Sequence, residues 1–289
     1  MPHDPISLSI YILILLLSLC VGSFLNVLIH RLPLILKAEW KDACTELFGL
    51  LIEQTSDKEQ VQKLSISFPA SHCPRCQHKL KPWHNIPLLS YIFLKGQCAF
   101  CKTKIHWQYP LVEFLALAVS FIALFNFGIT PQLGLALLFC WTLIVLSTID
   151  LKTTLLPDGL TLSLLWLGLI ANYFGLFISL HTAVFGAIIG YGSLWLFFHA
   201  FKLATGKEGM GYGDFKLLAA LGAWFGWQSL ILILVFACII GIFSSLLFYR
   251  NQSNTKAKMI PFGPYLSLAG VLYLFYGPQL LHWYLSFLH

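Results

Sequence analysis

Long apolar runs separated by short polar segments dominate the pattern of this chain. The first run covers 6–29, and a long polar segment, 31–109, follows it. About 20 apolar residues are needed to cross a bilayer, so each run of comparable length predicts a transmembrane helix. After Tyr109 we predict seven further spans, at 110–127, 132–149, 159–179, 182–201, 217–227, 229–249 and 263–287. The pattern therefore predicts an all-α integral membrane protein with eight transmembrane helices.

These elements divide the chain into three predicted parts. They are a first transmembrane helix at 1–30, a loop domain at 31–109 and a seven-helix membrane domain at 110–289. Within the loop domain, apolar residues recur at steps of three and four between charged residues, which predicts an amphipathic helix. The residues that form this pattern are Trp40, Ala43, Leu47, Leu50 and Leu51.

The composition excludes an ordinary soluble protein. The 289 residues are 58 % hydrophobic and 10 % charged, whereas globular domains have about a quarter charged residues. Aromatic residues reach 15 %. This value excludes a disordered chain, because such chains contain few aromatic residues.

The positions of the basic residues predict the orientation of the helices. All 18 Lys and Arg residues lie in 31–109, 150–158, 202–216 and 250–262. Basic loops favour the cytoplasm, so we predict that these four segments are cytoplasmic and that the N-terminus is outside. A single helix over 217–249 would move three cations outside, which favours two helices there. The net charge of +6 is thus explained by the basic loops that set the orientation of the helices in the membrane. The lipid bilayer is the predicted partner, and nucleic acid is not.

Four of the eight cysteines form two pairs with the spacing of metal ligands. Cys73 and Cys76 form one CxxC pair, and Cys98 and Cys101 form the second. Two such pairs supply four thiolates for a tetrahedral structural zinc ion. Disulfide bonds are disfavoured in a reducing cytosol, and a redox role would need only one reactive pair. We therefore predict a zinc-binding cytosolic insertion between helices 1 and 2.

Five acidic residues lie in or beside the apolar region: Glu113, Asp150, Asp158, Glu208 and Asp214. An acid at membrane depth costs about 2.5–3.5 kcal/mol on insertion scales, so each is a functional candidate. Asp158 lies at the head of a span and is predicted to be a helix N-cap. Glu208 lies in a polar turn and is predicted to be solvated. For Glu113, pairing with a cation and capping a helix both stay open.

Asp150 and Asp214 form the predicted catalytic pair, with a structural role at a helix end as the alternative for each. The predicted topology places both at the cytoplasmic boundary. Two converging carboxylates share a proton, so one activates water while the other donates to the amide carbonyl. Gly211 and Gly213 let a backbone or a substrate come close to Asp214. This chemistry is aspartyl peptide hydrolysis.

A membrane transporter that couples to protons or cations through the same acids is the alternative function. A transporter of this kind predicts acids near the bilayer midplane and internal repeats. The sequence shows neither feature.

Several groups of residues resemble the motifs of one family of membrane proteases. They are Gly22–Pro33, Asn85–Tyr91 between the CxxC pairs, Tyr109–Glu113, Ile149–Asp150 with Leu156–Asp158, Gly206–Lys216 and Pro261–Pro264. With these motifs the chain resembles the prepilin peptidases, or type IV leader peptidases. Members of this family are GxGD-type integral-membrane aspartyl proteases.

The resemblance implies an activity and a set of site residues. Asp150 and Asp214 match the catalytic aspartates, and the four cysteines match the zinc ligands. The implied reaction removes the short basic leader of type IV prepilins and type II secretion pseudopilins at the cytoplasmic face of the bacterial inner membrane. N-methylation of the new N-terminal residue with S-adenosylmethionine is also implied. No glycine-rich cofactor signature is present, so the cofactor site is expected only broadly, in the soluble loop or near Lys95 and Gly96.

Overall fold

The computed structural model describes most of the chain as helix. The described residues are 5–48, 65–73, 75–81, 83, 86–207, 209–249 and 261–286. They form two compact units, an N-terminal unit at 1–120 and a C-terminal unit at 121–289. Within the described residues there are nine helices and no strand: α1 (Pro5–Phe48), α2 (Leu89–Phe93), α3 (Gln108–Phe127), α4 (Pro131–Thr153), α5 (Asp158–Tyr173), α6 (Leu180–Thr205), α7 (Tyr212–Phe225), α8 (Trp227–Tyr249) and α9 (Gly263–Ser286).

Helix α1 continues well beyond the predicted end of the first span at residue 30. It runs through Pro33 and includes the amphipathic pattern as far as Leu47, while Leu50 and Leu51 lie outside the described residues. An apolar run marks only the part of a helix that suits lipid. The polar part continues because it is rich in Leu, Ala, Lys and Glu, which are strong helix formers.

Within the N-terminal unit, α1 approaches α3 closely at a glycine. A Cβ atom added to Gly22 would lie 2.9 Å from Glu113 Cα and 3.2 Å from Ala116 Cβ. The Asn26 side-chain amide donates to the Tyr109 carbonyl oxygen at 3.0 Å. Small residues at such a crossing allow backbones to approach, and polar side chains then bond across it.

Within the C-terminal unit, α7 is the central element. It contacts α5, α6, α8 and α9, and ten of its 14 residues are buried. Helix α6 meets it backbone to backbone, because Gly186 and Gly222 face each other. A Cβ atom on Gly190 would lie 2.7 Å from the Leu218 carbonyl oxygen. Only glycine therefore fits at these contacts.

A break at Gly226 separates α7 from α8. Its φ of +83° is a left-handed conformation that favours glycine. The buried Asn172 amide donates to the carbonyl oxygens of Ala223 at 2.8 Å and Trp224 at 3.2 Å. These hydrogen bonds satisfy carbonyl groups at the C-terminal end of α7 that lack a partner within the helix. The region 217–249 is thus two helices, as predicted from the charges, and the single-helix alternative is wrong.

Five described helices are long and apolar enough to cross a membrane. They are α1, α3, α4, α6 and α8. Helices α5 and α7 have 16 and 14 residues, fewer than the about 20 that a straight crossing needs. The protein is therefore a multi-pass helical membrane protein, and the number of eight crossings stays a prediction.

Candidate active site and metal centre

Asp150 lies in the last turn of α4 and its carboxylate is held by the start of α9. The residue is 4 % exposed. Its Oδ2 atom accepts a hydrogen bond of 3.1 Å from the Gly263 backbone N–H. A Cβ atom on Gly263 would lie only 2.6 Å from the same oxygen. The absence of a side chain at position 263 therefore lets the backbone N–H reach the carboxylate.

Asp214 lies in the first turn of α7, three residues after the N-cap residue Gly211. Its backbone N–H donates to the Gly211 carbonyl oxygen at 3.2 Å. The side chain is buried, at 8 % exposure. Within the described part of the chain, Oδ1 has no hydrogen-bond partner. The side chain is thus not the cap of α7, and one carboxylate oxygen is left to bind something else.

The structure brings the two aspartates together. Asp150 is close enough to Asp214 for a direct electrostatic interaction between the carboxylates. The Leu156 side chain packs against Gly213, which precedes Asp214, and against Gly263, which contacts Asp150. A Cβ atom on Gly213 would lie 2.7 Å from Leu156 Cβ, and one on Gly263 would lie 3.2 Å from Leu156 Cδ1. The end of α4, the loop after it and the starts of α7 and α9 therefore meet at one point.

The two glycines before Asp214 differ in their surroundings. Gly213 is needed for packing, because Leu156 fills the space that a side chain would take. Gly211 has no atom within 4 Å of its Cβ position, and its φ of −85° suits any residue. A role of Gly211 in the approach of a substrate stays a prediction.

The three other acidic residues singled out from the sequence are not part of the pair formed by Asp150 and Asp214. The N-cap prediction for Asp158 is wrong, because Pro157 occupies the N-cap position. The Asp158 carboxylate instead accepts hydrogen bonds of 2.6 and 2.7 Å from Lys216 Nζ.

Glu113 does not pair with a cation among the described residues. Its Oε2 accepts from the Leu88 backbone N–H at 2.8 Å. Glu208 lies outside the described residues.

Gly263 and Leu156 are the site residues that reasoning from the sequence missed. Both lie inside motifs that carry the family resemblance, but neither has a polar side chain that would mark it as functional. The signal at Gly263 was its position before Pro264 at the start of a helix. Glycine there leaves the first N–H groups of α9 accessible to an anion.

The four cysteines form a cluster within the N-terminal unit. The Sγ atoms of Cys73, Cys76, Cys98 and Cys101 all lie within 4.8 Å of one another, and those of Cys73 and Cys101 are 3.8 Å apart. Zn–S bonds of about 2.3 Å in a tetrahedron give S···S distances of about 3.8 Å. The donor set and its spacing therefore fit zinc.

The two CxxC pairs have matching backbone geometry. The first cysteine of each pair donates its N–H to a residue five positions later, Cys73 to His78 at 3.1 Å and Cys98 to Thr103 at 2.8 Å. The residue after each second cysteine has a positive φ, 55° at Gln77 and 57° at Lys102. The two turns are therefore the same local fold used twice, which presents four sulfur atoms to one point.

Hydrogen bonds favour the thiolate at two of the four cysteines, whereas burial and the neighbouring thiols of Cys101 and Cys73 raise the pKa of the Cys76 thiol to about 11. A hydrogen bond from the Thr103 hydroxyl, at 3.3 Å, is the main cause that lowers the pKa of the Cys101 thiol to about 6. Hydrogen bonds from the backbone N–H groups of Cys76 and Arg75 lower the pKa of Cys73. Since metal ligands must be deprotonated, these contacts prepare the cluster for a cation.

Replacing Cys98 with Ser is expected to remove zinc from the protein. The affinity should fall by more than the about 10–100-fold that loss of an outer-shell partner causes. Metal analysis and thermal unfolding of the purified variant measure the effect. Cys44→Ser is the matched control, because Cys44 is exposed and lies outside the cluster. Full zinc content in Cys98→Ser would refute the cluster as the metal site.

The fold and the site are those of a multi-pass helical membrane protein with a buried aspartate pair and four clustered cysteines whose spacing fits a metal ion. Two family models match the chain: Bacterial Peptidase A24 N-terminal domain at residues 16–127 and Type IV leader peptidase family at residues 137–246. The chain belongs to the type IV leader peptidase family, which confirms the resemblance inferred from the motifs.

Several curated relatives match nearly the whole chain. A prepilin leader peptidase/N-methyltransferase of Pseudomonas aeruginosa is 50 % identical over 273 residues, which cover 94 % of this chain and 92 % of the relative. Proteins of the same name are 46 % identical in Stutzerimonas stutzeri, covering 94 % and 93 %, and in Legionella pneumophila, covering 96 % and 95 %. The comparison with solved structures finds no match.

Proposed function

We propose that this protein is a membrane aspartyl endopeptidase that removes the leader peptide of type IV prepilins and type II secretion pseudopilins. The observation that carries the proposal is the meeting of two buried carboxylates, Asp150 and Asp214, at the ends of α4 and α7. The names of the relatives support the same activity.

The proposed mechanism uses the two carboxylates in different protonation states. Two close carboxylates do not both ionise easily, so a single proton is shared between them. The ionised partner removes a proton from a water molecule, and the protonated partner donates to the carbonyl oxygen of the scissile amide. The Gly263 N–H on Asp150 Oδ2 orients one carboxylate. Asp214 Oδ1, which has no hydrogen-bond partner in the described part of the chain, would bind water or substrate.

A second activity, N-methylation of the residue exposed by cleavage, is proposed from the names of the relatives. S-Adenosylmethionine would supply the methyl group, and zinc would hold the CxxC turns in place. The proposed location is the bacterial inner membrane, with the carboxylate pair at the cytoplasmic face. The predicted topology supports this side, because every Lys and Arg falls in a segment assigned to the cytoplasm.

A transporter that uses the same acids receives no support. The relatives are named as peptidases, and Asp150 and Asp214 lie at helix ends rather than at the centre of a long span. Acids of a proton relay are expected within the membrane, along the path of the ion.

Incubation of the purified protein with a prepilin precursor tests the proposal directly. We expect the mass of the product to fall by the mass of the leader, and to rise by one methyl group when S-adenosylmethionine is added. An uncleaved precursor under conditions in which the protein retains its zinc would refute the peptidase function. Cleavage without the added methyl group would refute only the second activity.

A further inference from the structure

A cavity of about 510 Å³ lies within the N-terminal unit. Sites for small molecules typically have about 300–1,000 Å³. The cavity is lined by residues 23–31 on successive turns of α1, by the start of α3 and by residues around both CxxC pairs. Lining residues with polar or aromatic side chains include Asn26, Arg31, Tyr91, His106, Tyr109 and Glu113. Neither Asp150 nor Asp214 lines the cavity, and both belong to the C-terminal unit.

Asn26 contributes a buried acceptor that lacks a partner. Its side chain is 5 % exposed. The amide nitrogen donates to the carbonyl oxygens of Tyr109 at 3.0 Å and Gly22 at 3.4 Å, which leaves Oδ1 without a partner in the described part of the chain. Burying such an acceptor without a hydrogen bond is unfavourable. An N–H group of a ligand in the cavity would satisfy it.

Glu113 contributes a buried carboxyl group. It is 8 % exposed, and its carboxylate accepts from the Leu88 N–H at 2.8 Å, with the Ser23 hydroxyl also within hydrogen-bonding reach. These partners are neutral, and a buried carboxylate is costly unless a cation accompanies it. Arg31 does not serve this purpose, because its guanidinium donates to the carbonyl oxygens of Ser65 and Ile66. A cationic ligand would meet the need.

Aromatic side chains provide flat apolar surface in the same cavity. Tyr91 and Tyr109 both line it. Gly96 supports the first of these rings, because a Cβ atom at that position would lie 3.0 Å from Tyr91 Cζ. Lys95 and Gly96 themselves do not line the cavity. A planar base could pack against such rings.

We propose that this cavity binds S-adenosylmethionine, with Glu113 facing a positive group of the ligand, Asn26 Oδ1 accepting from a ligand N–H, and the tyrosine rings contacting the adenine. The ligand carries a sulfonium, an ammonium, an amino-bearing base and a ribose, which match the acceptors and rings in the cavity. This inference rests on the proposed methyltransferase function and names its site.

Titration calorimetry with the full-length protein in detergent tests the proposal. S-Adenosylmethionine is added without pilin, so that binding is measured apart from methyl transfer. Glu113→Gln should weaken binding by at least about tenfold, because it removes one partner of a buried charge pair. The glutamine keeps an oxygen that accepts from the Leu88 N–H, so the fold should be retained.

A second variant and a control separate the cavity from general effects. Val27→Phe adds volume at a lining position and should abolish detectable binding by filling the cavity. Glu39→Gln makes the same charge change on an exposed part of α1 and should bind as the wild type does. Zinc content and leader cleavage, measured for each variant, report that the protein is folded.

Wild-type affinity in both Glu113→Gln and Val27→Phe would overturn the proposal, because the ligand would then bind elsewhere. The methyltransferase function would still stand if the wild type methylates the cleaved pilin. A wild type that neither binds S-adenosylmethionine nor methylates the pilin would refute the function and the site together. Loss of binding in both variants, with intact zinc content and leader cleavage, supports the cavity as the site.

Discussion

Replacing either Asp150 or Asp214 with Asn is expected to lower prepilin cleavage by at least about 10³-fold, because an amide neither accepts nor donates the proton of the reaction. At position 150 the amide oxygen would still accept from the Gly263 N–H, so the substitution changes the chemistry more than the packing. The rate of leader removal, followed by mass spectrometry under conditions that give kcat/KM, measures the effect.

Asp158→Asn is the matched control for this prediction. Asp158 is close in sequence to Asp150 and is paired with Lys216, but its side chain is 59 % exposed. An exposed ion pair contributes about 0.2–1 kcal/mol, so cleavage should change by no more than about fivefold. All three variants should keep the zinc content of the wild type. Substantial cleavage by either variant of the pair would exclude the two-carboxylate mechanism.

Gly263→Ala is expected to lower cleavage by about 10²-fold, the loss that a catalytic group misplaced by about 1 Å can cause. The new methyl group would lie 2.6 Å from Asp150 Oδ2 and 3.2 Å from two methyl carbons of Leu156. The carboxylate must move away, and the hydrogen bond from the backbone N–H is then lost. A fall in kcat/KM with unchanged zinc content would show that the effect is local to the aspartates.

Gly159→Ala provides the comparison, because it adds the same methyl group near the start of α5. No atom lies within 4 Å of the Cβ position of Gly159, and alanine is a better helix former by about 1 kcal/mol. Cleavage and stability should therefore match or exceed those of the wild type. Wild-type cleavage by Gly263→Ala would mean that the contact with Asp150 does not position the carboxylate.

The sequence predicted the helices well because lipid imposes a simple rule on long apolar runs. The predicted spans at 110–127 and 132–149 correspond to Gln108–Phe127 and Pro131–Thr153. The end of α1 was predicted poorly, since helical hydrogen bonds continue where apolar residues stop. The cysteine cluster was predictable because each pair of ligands lies within a single turn, so that local spacing carries most of the geometry.

Contacts between distant segments were harder to predict. Asp158 satisfies the local rule for an N-cap, but Lys216, 58 residues later, binds its carboxylate instead. The contact of Gly263 with Asp150 spans 113 residues and depends on how α9 packs against α4. Nothing in the composition of either segment encodes this packing. The approach of Asp150 to Asp214 was inferred from the shared membrane side and from the resemblance.

The enclosure of α7 has a consequence for the setting in which the protein acts. Neighbouring helices of its unit cover this short helix, and every side chain from Leu217 to Trp224 is buried. We therefore expect acyl chains to contact the surrounding helices and not the buried side chains of the helix that carries Asp214. We expect the position of that carboxylate to change little with bilayer thickness, so that growth temperature or lipid composition alters the surroundings of the aspartate pair more than the pair itself.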